Sequence, residues 1–169
     1  KQGAKGLVFD VREDGGGLVA ALEKIVDPLL PAGDIATATY QDGTTKVLVH
    51  SDANELNLPM MVLVNGNTAS AAELFTASLK DFGKAEVIGE QTFGKGIMQN
   101  TFELPDGGAV TLTVATYQTT KGECYHGVGI TPDVIMEEDY EKVDFDHPNS
   151  EQDAQLKQAM ELLQSKISS

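Results

Sequence analysis

The chain has 169 residues, which suits one domain with a single hydrophobic core. Its formal net charge of −14, from 26 acidic and 12 basic side chains, disfavours binding to nucleic acids or to anionic membranes. No apolar run approaches the roughly 20 residues of a transmembrane helix, and a lone cysteine, Cys124, excludes an internal disulfide bond.

Hydrophobic patterning predicts an α/β domain. Short β-branched and aromatic runs predict strands, and apolar residues three to four positions apart predict amphipathic helices. In chain order we expect a strand over 6–11, a helix over 18–30, a hairpin of 35–40 and 46–50, a strand over 59–64, a helix over 70–82, a strand over 85–89, a second hairpin of 98–104 and 109–117, a short strand over 134–136, an acidic loop over 137–146 and a helix over 151–166. Strand–turn–helix units recur three times, as in α/β folds.

One candidate nucleophile lies where the fourth expected strand turns into a helix. There Ser70 would lie beside free backbone N–H groups and the positive end of the helix dipole, which favours stabilisation of an oxyanion. The same pattern has an ordinary explanation, because Ser70 followed three residues later by Glu73 is also a helix capping box. This segment alone therefore leaves both interpretations open.

The segment 89–96, GEQTFGKG, offers a candidate base. It nearly spells a phosphate-binding loop, but Gly96 stands where a Ser or Thr would be needed, and the residues after it predict a strand. Nucleotide binding is therefore disfavoured. Lys95 can act differently, because burial among apolar groups favours a neutral amine that can take the proton of a serine hydroxyl.

The histidines suggest no better base. His50, His126 and His147 lie in no recognisable triad setting, and the nucleophile-elbow pattern GxSxG is absent from the sequence. Asp144, Asp146 and His147 could suggest a metal site. A solvated acidic loop is the preferred interpretation, because no second cluster with ligand spacing accompanies them.

Four segments together resemble the C-terminal processing, or tail-specific, serine peptidases. GLVFDVREDGGGL at 6–18 is similar to that family's GLILDLRxNPGGL, and VNGNTASAAELFTASLKD at 64–81 to its VNxxSASASEIxAxALxD. GEQTFGKGIMQ at 89–99 is similar to GExTFGKGxxQ, and GVGITPDV at 127–134 to GxGIxPDV. The resemblance covers nearly the whole chain, and four motifs in the family's order are very specific.

The resemblance implies a role for each matching residue. It makes Ser70 the nucleophile and Lys95 its base in a Ser-Lys dyad, with Gln99 helping to hold the dyad. It assigns the oxyanion hole to the backbone N–H groups of Gly16 and Ala71. Glycine at position 16 is physically reasonable, since close approach of the backbone to a substrate leaves no room for a Cβ.

Asp81 matches a family aspartate with a supportive role. Three other positions differ from the family motifs. Thr68 and Ala72 replace the outer serines of the nucleophile motif, which leaves the mechanism intact. Gly15 stands where the family usually has proline, so the turn beside the expected oxyanion hole is more flexible.

The resemblance implies a ClpP/crotonase-like α/β core with an added β-hairpin, and a serine endopeptidase that cleaves exported proteins near their C-termini. It implies protein or peptide substrates with accessible C-termini, no metal or organic cofactor and no nucleic-acid partner, and it leaves a homo-oligomer open. It places the enzyme outside the cytoplasm, in the periplasm, at the cell envelope or secreted, with a membrane anchor as a further option.

Residues 1–169 are then expected to be part of a protease domain. The family's N-terminal core elements and its PDZ domain, which binds a substrate's C-terminus, have no counterpart in this sequence. One alternative is a non-catalytic module of the same fold that binds peptides or hydrophobic ligands. Another is a serine hydrolase that uses a histidine as its base.

Overall fold

In the computed structural model, which describes residues 3–52 and 54–168, the chain forms two four-stranded sheets and three α-helices. The elements are β1 (Leu7–Asp10), α1 (Val19–Val26), a 3-10 turn (Asp27–Leu29), β2 (Gly33–Tyr40), β3 (Thr45–Ser51), β4 (Met60–Val64), α2 (Ala71–Asp81), β5 (Ala85–Gly89), β6 (Ile97–Glu103), β7 (Ala109–Thr119), β8 (Val134–Ile135) and α3 (Ala154–Ser168). Every expected strand and helix is present, and the predicted α/β class is confirmed.

The parallel sheet has the strand order β1-β4-β5-β8. Its central strand β4 is buried on both faces, since Met60 and Val62 belong to the main core while Met61 and Leu63 pack with α3. A strand covered on both faces is expected to be apolar throughout. This explains why polar and apolar residues do not alternate along MMVLV.

The antiparallel sheet has the order β3-β2-β7-β6. Both predicted hairpins, β2–β3 and β6–β7, lie in it and are joined because β2 pairs with β7. The sequence predicted each hairpin but not this pairing between them. The main core lies between the two sheets and includes residues of α1 and α2.

Helix α2 is buried on all sides from Ala71 to Leu79, not on one face as its spacing predicted. It contacts β5, β7 and α1, so neighbours surround it. A helix in such a position carries few charges. Glu73, which is fully buried, is therefore an exception that needs partners.

The ends of two helices differ from the prediction for local reasons. Helix α1 ends at Val26 and not near residue 30, because Pro28 has no N–H for a further α-helical bond and a 3-10 turn follows. Helix α3 begins at Ala154, where the Asp153 carboxylate accepts a hydrogen bond from the Leu156 N–H. Met160, one of the apolar residues spaced along this helix, is half exposed.

None of the helices in the described part of the chain combines the length and the apolar content needed to cross a bilayer.

Candidate active site

Three loops meet where parallel strands β1, β4 and β5 end. The Ala69 N–H donates to the Asp14 carbonyl at 2.9 Å, which joins the loop after β1 to the loop after β4. The Phe93 N–H donates to the Thr68 carbonyl at 3.0 Å, which joins the loops after β4 and β5. Ligand sites of α/β proteins usually lie at the carboxyl ends of their strands. The fold thus brings the loops that carry Gly16, Ser70 and Lys95 to one edge of the sheet.

Ser70 is held in a strained backbone conformation just before α2. Its φ of 58° and ψ of −119° lie outside the regions that non-glycine residues usually adopt. The following residue, Ala71, is the first of the helix, where an N–H has no intrahelical acceptor. The serine therefore lies at a helix N-terminus, as predicted, directly before the Ala71 N–H.

The Ser70 hydroxyl lies 3.4 Å from the hydroxyl of Tyr117, a residue of β7. The Tyr117 hydroxyl donates to the Lys95 carbonyl at 2.8 Å. Burial raises the pKa of Tyr117, and the contact with Ser70 offsets part of that rise. Tyr117 thus stays a neutral donor that touches both the serine and the lysine loop, a contact that the sequence motifs did not indicate.

Gly16 packs directly against the start of α2. It has a φ of +96°, and a Cβ placed on it would lie 2.7 Å from both the Ala69 carbonyl oxygen and the Ala71 nitrogen. The backbone of Gly16 is therefore adjacent to Ala71, the other residue predicted for the oxyanion hole. The Gly16 N–H donates to the exposed Asp14 carboxylate at 2.8 Å, a bond that an incoming oxyanion has to replace.

Lys95 lies half-buried between Gly94 and Gly96, directly before β6. A strand follows this segment, as the sequence predicted. A phosphate-binding loop would instead be followed by a helix. Within residues 3–52 and 54–168, no hydrogen bond joins the Lys95 amine to the Ser70 hydroxyl. The structure brings the two loops together, and the dyad itself remains a prediction.

Glu73 connects these loops through four hydrogen bonds. Its Oε1 accepts from the Thr92 hydroxyl at 2.6 Å and from the Gly94 N–H at 2.7 Å. Its Oε2 accepts from the Ser70 N–H at 2.9 Å and from the Lys95 N–H at 2.7 Å. One oxygen atom thus binds the backbone of both predicted catalytic residues. The capping-box pattern signalled the bond to Ser70 but gave no sign of the bonds to the loop of residues 92–95.

Two other predicted residues lie apart from the proposed dyad. Gln99 is exposed on β6, and no hydrogen bond of its side chain to Ser70 or Lys95 is found in the described residues. Asp81 is the last residue of α2, at the opposite end from Ser70, and accepts a hydrogen bond from the Thr119 hydroxyl at 2.5 Å. Asp81 therefore holds the end of β7, and any support to the dyad is indirect.

An apolar cavity of about 280 Å³ lies next to Gly16 and Ala71. Its other lining residues come mainly from β1, α1 and α2 and include Phe9, Val11, Leu18, Leu22, Ile25 and Phe75. The cavity is large enough for one apolar side chain of a bound peptide. A concave apolar site beside convergent polar groups is the usual form of a binding site.

The histidines lie on the surface. His50 contacts Asp34, and His147 contacts Asp144 within the acidic loop. The His126 ring contacts the Gly94 carbonyl at 3.2 Å, so it borders the lysine loop. Across the residues that the structure describes, no group of three or more His, Cys, Asp or Glu side chains is arranged to hold a metal ion.

Replacing Gly16 by alanine is expected to reduce the activity of this site about 100-fold, the loss typical of a disabled oxyanion donor. The added methyl group meets backbone atoms of Ala69 and Ala71, so the turn has to move away from Ser70. Gly17→Ala is the matched control, because nothing lies within 4 Å of a Cβ at that position. Steady-state cleavage rates of the two variants test this, and equal rates would contradict the assigned role of Gly16.

Comparison with known proteins gives a consistent result. The sequence model of Peptidase family S41 matches residues 1–136. A carboxyl-terminal-processing protease of Synechocystis sp. is 37% identical over 163 residues, which cover 96% of this chain and 38% of that protein. The chloroplastic C-terminal processing peptidase of Tetradesmus obliquus is 40% identical over 139 residues, covering 81% of this chain and 30% of that protein.

A solved structure shares the architecture. The structure titled photosystem II D1 C-terminal processing protease superposes with a TM-score of 0.74 and 39% identity, over 80% of this chain and 36% of that one. The chain thus spans between a quarter and two fifths of the length of these similar proteins. Residues 1–136, which the family model matches, include both sheets and the three loops described above.

Proposed function

The chain belongs to peptidase family S41, the family of C-terminal processing serine proteases, and on that premise we propose that it carries a Ser-Lys catalytic centre. Ser70 attacks the scissile carbonyl, and the amine of Lys95 takes the proton of its hydroxyl. Lys95 then returns the proton to the leaving amine, and water releases the acyl group from Ser70. The proposed reaction uses no metal or organic cofactor.

The observation that carries this proposal is the binding of one Glu73 oxygen to the backbone N–H groups of both Ser70 and Lys95. Two residues 25 positions apart in sequence are thereby held by a single atom. Fixed placement of a nucleophile and its base supplies a large part of the rate acceleration in enzymes. A module that only bound peptides would have no need for this arrangement.

The N–H groups of Gly16 and Ala71 are proposed to stabilise the tetrahedral oxyanion. Both lie at the turn of the chain beside Ser70, and the Ala71 N–H is at the positive end of the α2 dipole. The Gly16 N–H has to exchange the Asp14 carboxylate for the oxyanion. Because Asp14 is exposed, its carboxylate is readily solvated when the bond breaks. Gln99 and Asp81 are proposed to support the dyad indirectly.

The apolar cavity beside Gly16 supports a preference for an apolar side chain next to the scissile bond. We therefore propose substrates with accessible, apolar C-terminal tails, in the manner indicated by the names of the similar proteases. We further propose that the substrates are exported proteins and that the enzyme works outside the cytoplasm. Residues 1–169 are proposed to form part of the protease domain of a longer enzyme.

Cleavage of a reporter protein tests this function. The full-length protein is incubated with a reporter that ends in an apolar tail, and with a matched reporter in which two tail residues are aspartate. Mass spectrometry is expected to show loss of the C-terminal tail at least ~10-fold faster for the apolar reporter, because a charged side chain is poorly accommodated in an apolar site. Binding of the apolar tail without any cleavage would replace this proposal by the non-catalytic binding module.

A further inference from the structure

Arg12 is a buried arginine in the loop that leads from β1 to Gly16. Its side chain is only 1% exposed. A buried arginine almost always has partners that bind its charge. Its guanidinium donates to Asp10 at 2.9 and 2.5 Å and to Asp153 at 3.1 and 2.6 Å. A further bond of 3.2 Å reaches the Gln155 side chain. Arg12 is therefore bound on one side by its own strand and on the other by the start of α3.

The partners of Arg12 fix the C-terminal segment, defined here as residues 137–168. Asp153 is 2% exposed and caps α3, and Gln155 is fully buried and donates to the Met136 carbonyl at 2.6 Å. The ring of Phe145 lies 5.1 Å from the Arg12 guanidinium and stacks on Tyr140. The C-terminal segment thus encloses the arginine head group with charge, amide and aromatic contacts.

The charges around Arg12 favour a tight ion pair between Arg12 and Asp153. Burial by itself lowers the pKa of Arg12, but the hydrogen bonds and charges of Asp10 and Asp153 outweigh it, and the net pKa is raised. The contact between Arg12 and Asp153 is bidentate, which fixes orientation as well as distance. The segment is therefore docked in one defined position.

The loop beyond Arg12 is also held on its other side. The next residue, Glu13, has a φ of 59° and donates its N–H to the Asn65 side chain at 3.1 Å. Asp14 then accepts the Ala69 N–H through its carbonyl. Two residues later the chain reaches Gly16, adjacent to Ala71. Hydrogen bonds thus hold Arg12 on one side and Glu13 and Asp14 on the other, and the backbone joins Arg12 directly to the oxyanion turn, defined here as residues 13–16.

We infer that Arg12 and Asp153 form a positioning pair, through which docking of the C-terminal segment holds the oxyanion turn against Ser70. This inference deepens the proposed function and rests on it for its catalytic consequence. Both side chains are buried, and neither lines the apolar cavity beside Gly16. Their effect passes through the backbone of residues 13–16, where two glycines, Gly15 and Gly16, follow Asp14, so this turn needs an external support.

The variant Asp153→Asn tests the pair. Asparagine caps helices about as well as aspartate, so the substitution removes one of the two carboxylate charges that face Arg12 while keeping the cap of α3. Hydrogen exchange of the 169-residue chain is the first measurement. We expect the amides of Glu13 and Ala69 to exchange ~10-fold faster, because their bonds hold the turn, while the amides of β4 stay unchanged.

Two further variants act as controls in the exchange measurement. Asp139→Asn removes an exposed carboxylate of the same segment, paired with Lys142, and is expected to leave the turn unchanged. Asp153→Glu keeps the charge and is expected to restore most of the protection. Faster exchange confined to α3, with Glu13 and Ala69 as in the wild type, would overturn the inference and leave Asp153 as a helix cap only.

Activity gives a second, separate measurement. In the full-length protein, Asp153→Asn is expected to lower kcat about 10-fold with KM changed less than about twofold, since the turn acts on the transition state and not on substrate binding. A change in KM alone would overturn the inference. A wild-type protein without any cleavage would instead overturn the proposed function, and the exchange result would still decide whether Arg12 and Asp153 hold the turn.

Discussion

Replacing either Ser70 or Lys95 by alanine is expected to abolish proteolysis by the full-length protein. Without Ser70 no acyl-enzyme forms, and without Lys95 the hydroxyl keeps its proton. The loss in kcat should be at least ~10⁴-fold for either variant, and the double variant should lose no more, because the two groups act as a unit. Mass spectrometry of reporter-tail release by the wild-type and variant enzymes gives the ratio of their kcat values.

Stability should change little in these two variants. Alanine at position 70 keeps the positive φ that serine already has. It removes the hydroxyl contact of 3.4 Å to Tyr117 and the capping-box contact of the serine side chain with the Glu73 N–H, a loss of about 1 kcal/mol. Lys95 is half-buried, and its backbone bond to Glu73 remains in the alanine variant. Unfolding midpoints in urea close to the wild-type value would show that the loss of cleavage reflects missing chemistry.

His126→Ala separates the proposed dyad from the hydrolase that uses a histidine as base. His126 borders the lysine loop through the Gly94 carbonyl, so it is the histidine nearest in sequence and contact to Lys95. We expect this variant to retain most of the cleavage activity. Full activity in Lys95→Ala together with complete loss in His126→Ala would show that the base has been assigned to the wrong residue.

The sequence predicted the elements of the fold well because they depend on local pattern. The apolar run of β4 and the Asp42-Gly43 hairpin are signals that neighbouring residues carry by themselves. The pairing of β2 with β7 is different, since it joins residues about 80 positions apart such as Ala36 and Thr119. No local pattern records such a pairing.

The same distinction applies to the candidate site. The positions of Gly16 and Ser70 followed from motifs, because a glycine turn and a strand–helix junction are local features. The contact between Tyr117 and Ser70 did not follow, since β7 reaches the site only through the sheet. Arg12 lies in the motif at 6–18, but nothing in the sequence links it to Asp153, 141 residues away.

Substitution of Glu73 by glutamine is expected to damage both stability and activity. Glutamine has nearly the same shape, but its amide nitrogen is a donor and would face two of the four donors that now bind the carboxylate. Buried donors without an acceptor each cost about 1–3 kcal/mol. We expect the free energy of unfolding to fall by about 3 kcal/mol, measured by urea denaturation.

Cleavage should fall further than stability alone explains. The carboxylate fixes the Ser70 loop and the Lys95 loop together, and displacement of a catalytic group by about 1 Å can cost ~100-fold in rate. With two loops displaced, we expect kcat/KM to fall roughly 10³- to 10⁴-fold at a temperature where the variant is fully folded. The rate should be measured well below the midpoint of unfolding so that only native enzyme contributes.

Two further variants make the result specific to this carboxylate. Glu86→Gln alters a partly exposed glutamate on β5 that contacts Lys166, so it should change the free energy of unfolding by less than about 1 kcal/mol and leave cleavage unchanged. Thr92→Val removes one of the four donors to Glu73 together with the acceptor of the Ile130 N–H, and it should give an intermediate loss, because the backbone bonds from Ser70 and Lys95 remain. If folded Glu73→Gln enzyme cleaves within tenfold of the wild type, the carboxylate is a structural cap of α2 and does not align the two catalytic loops.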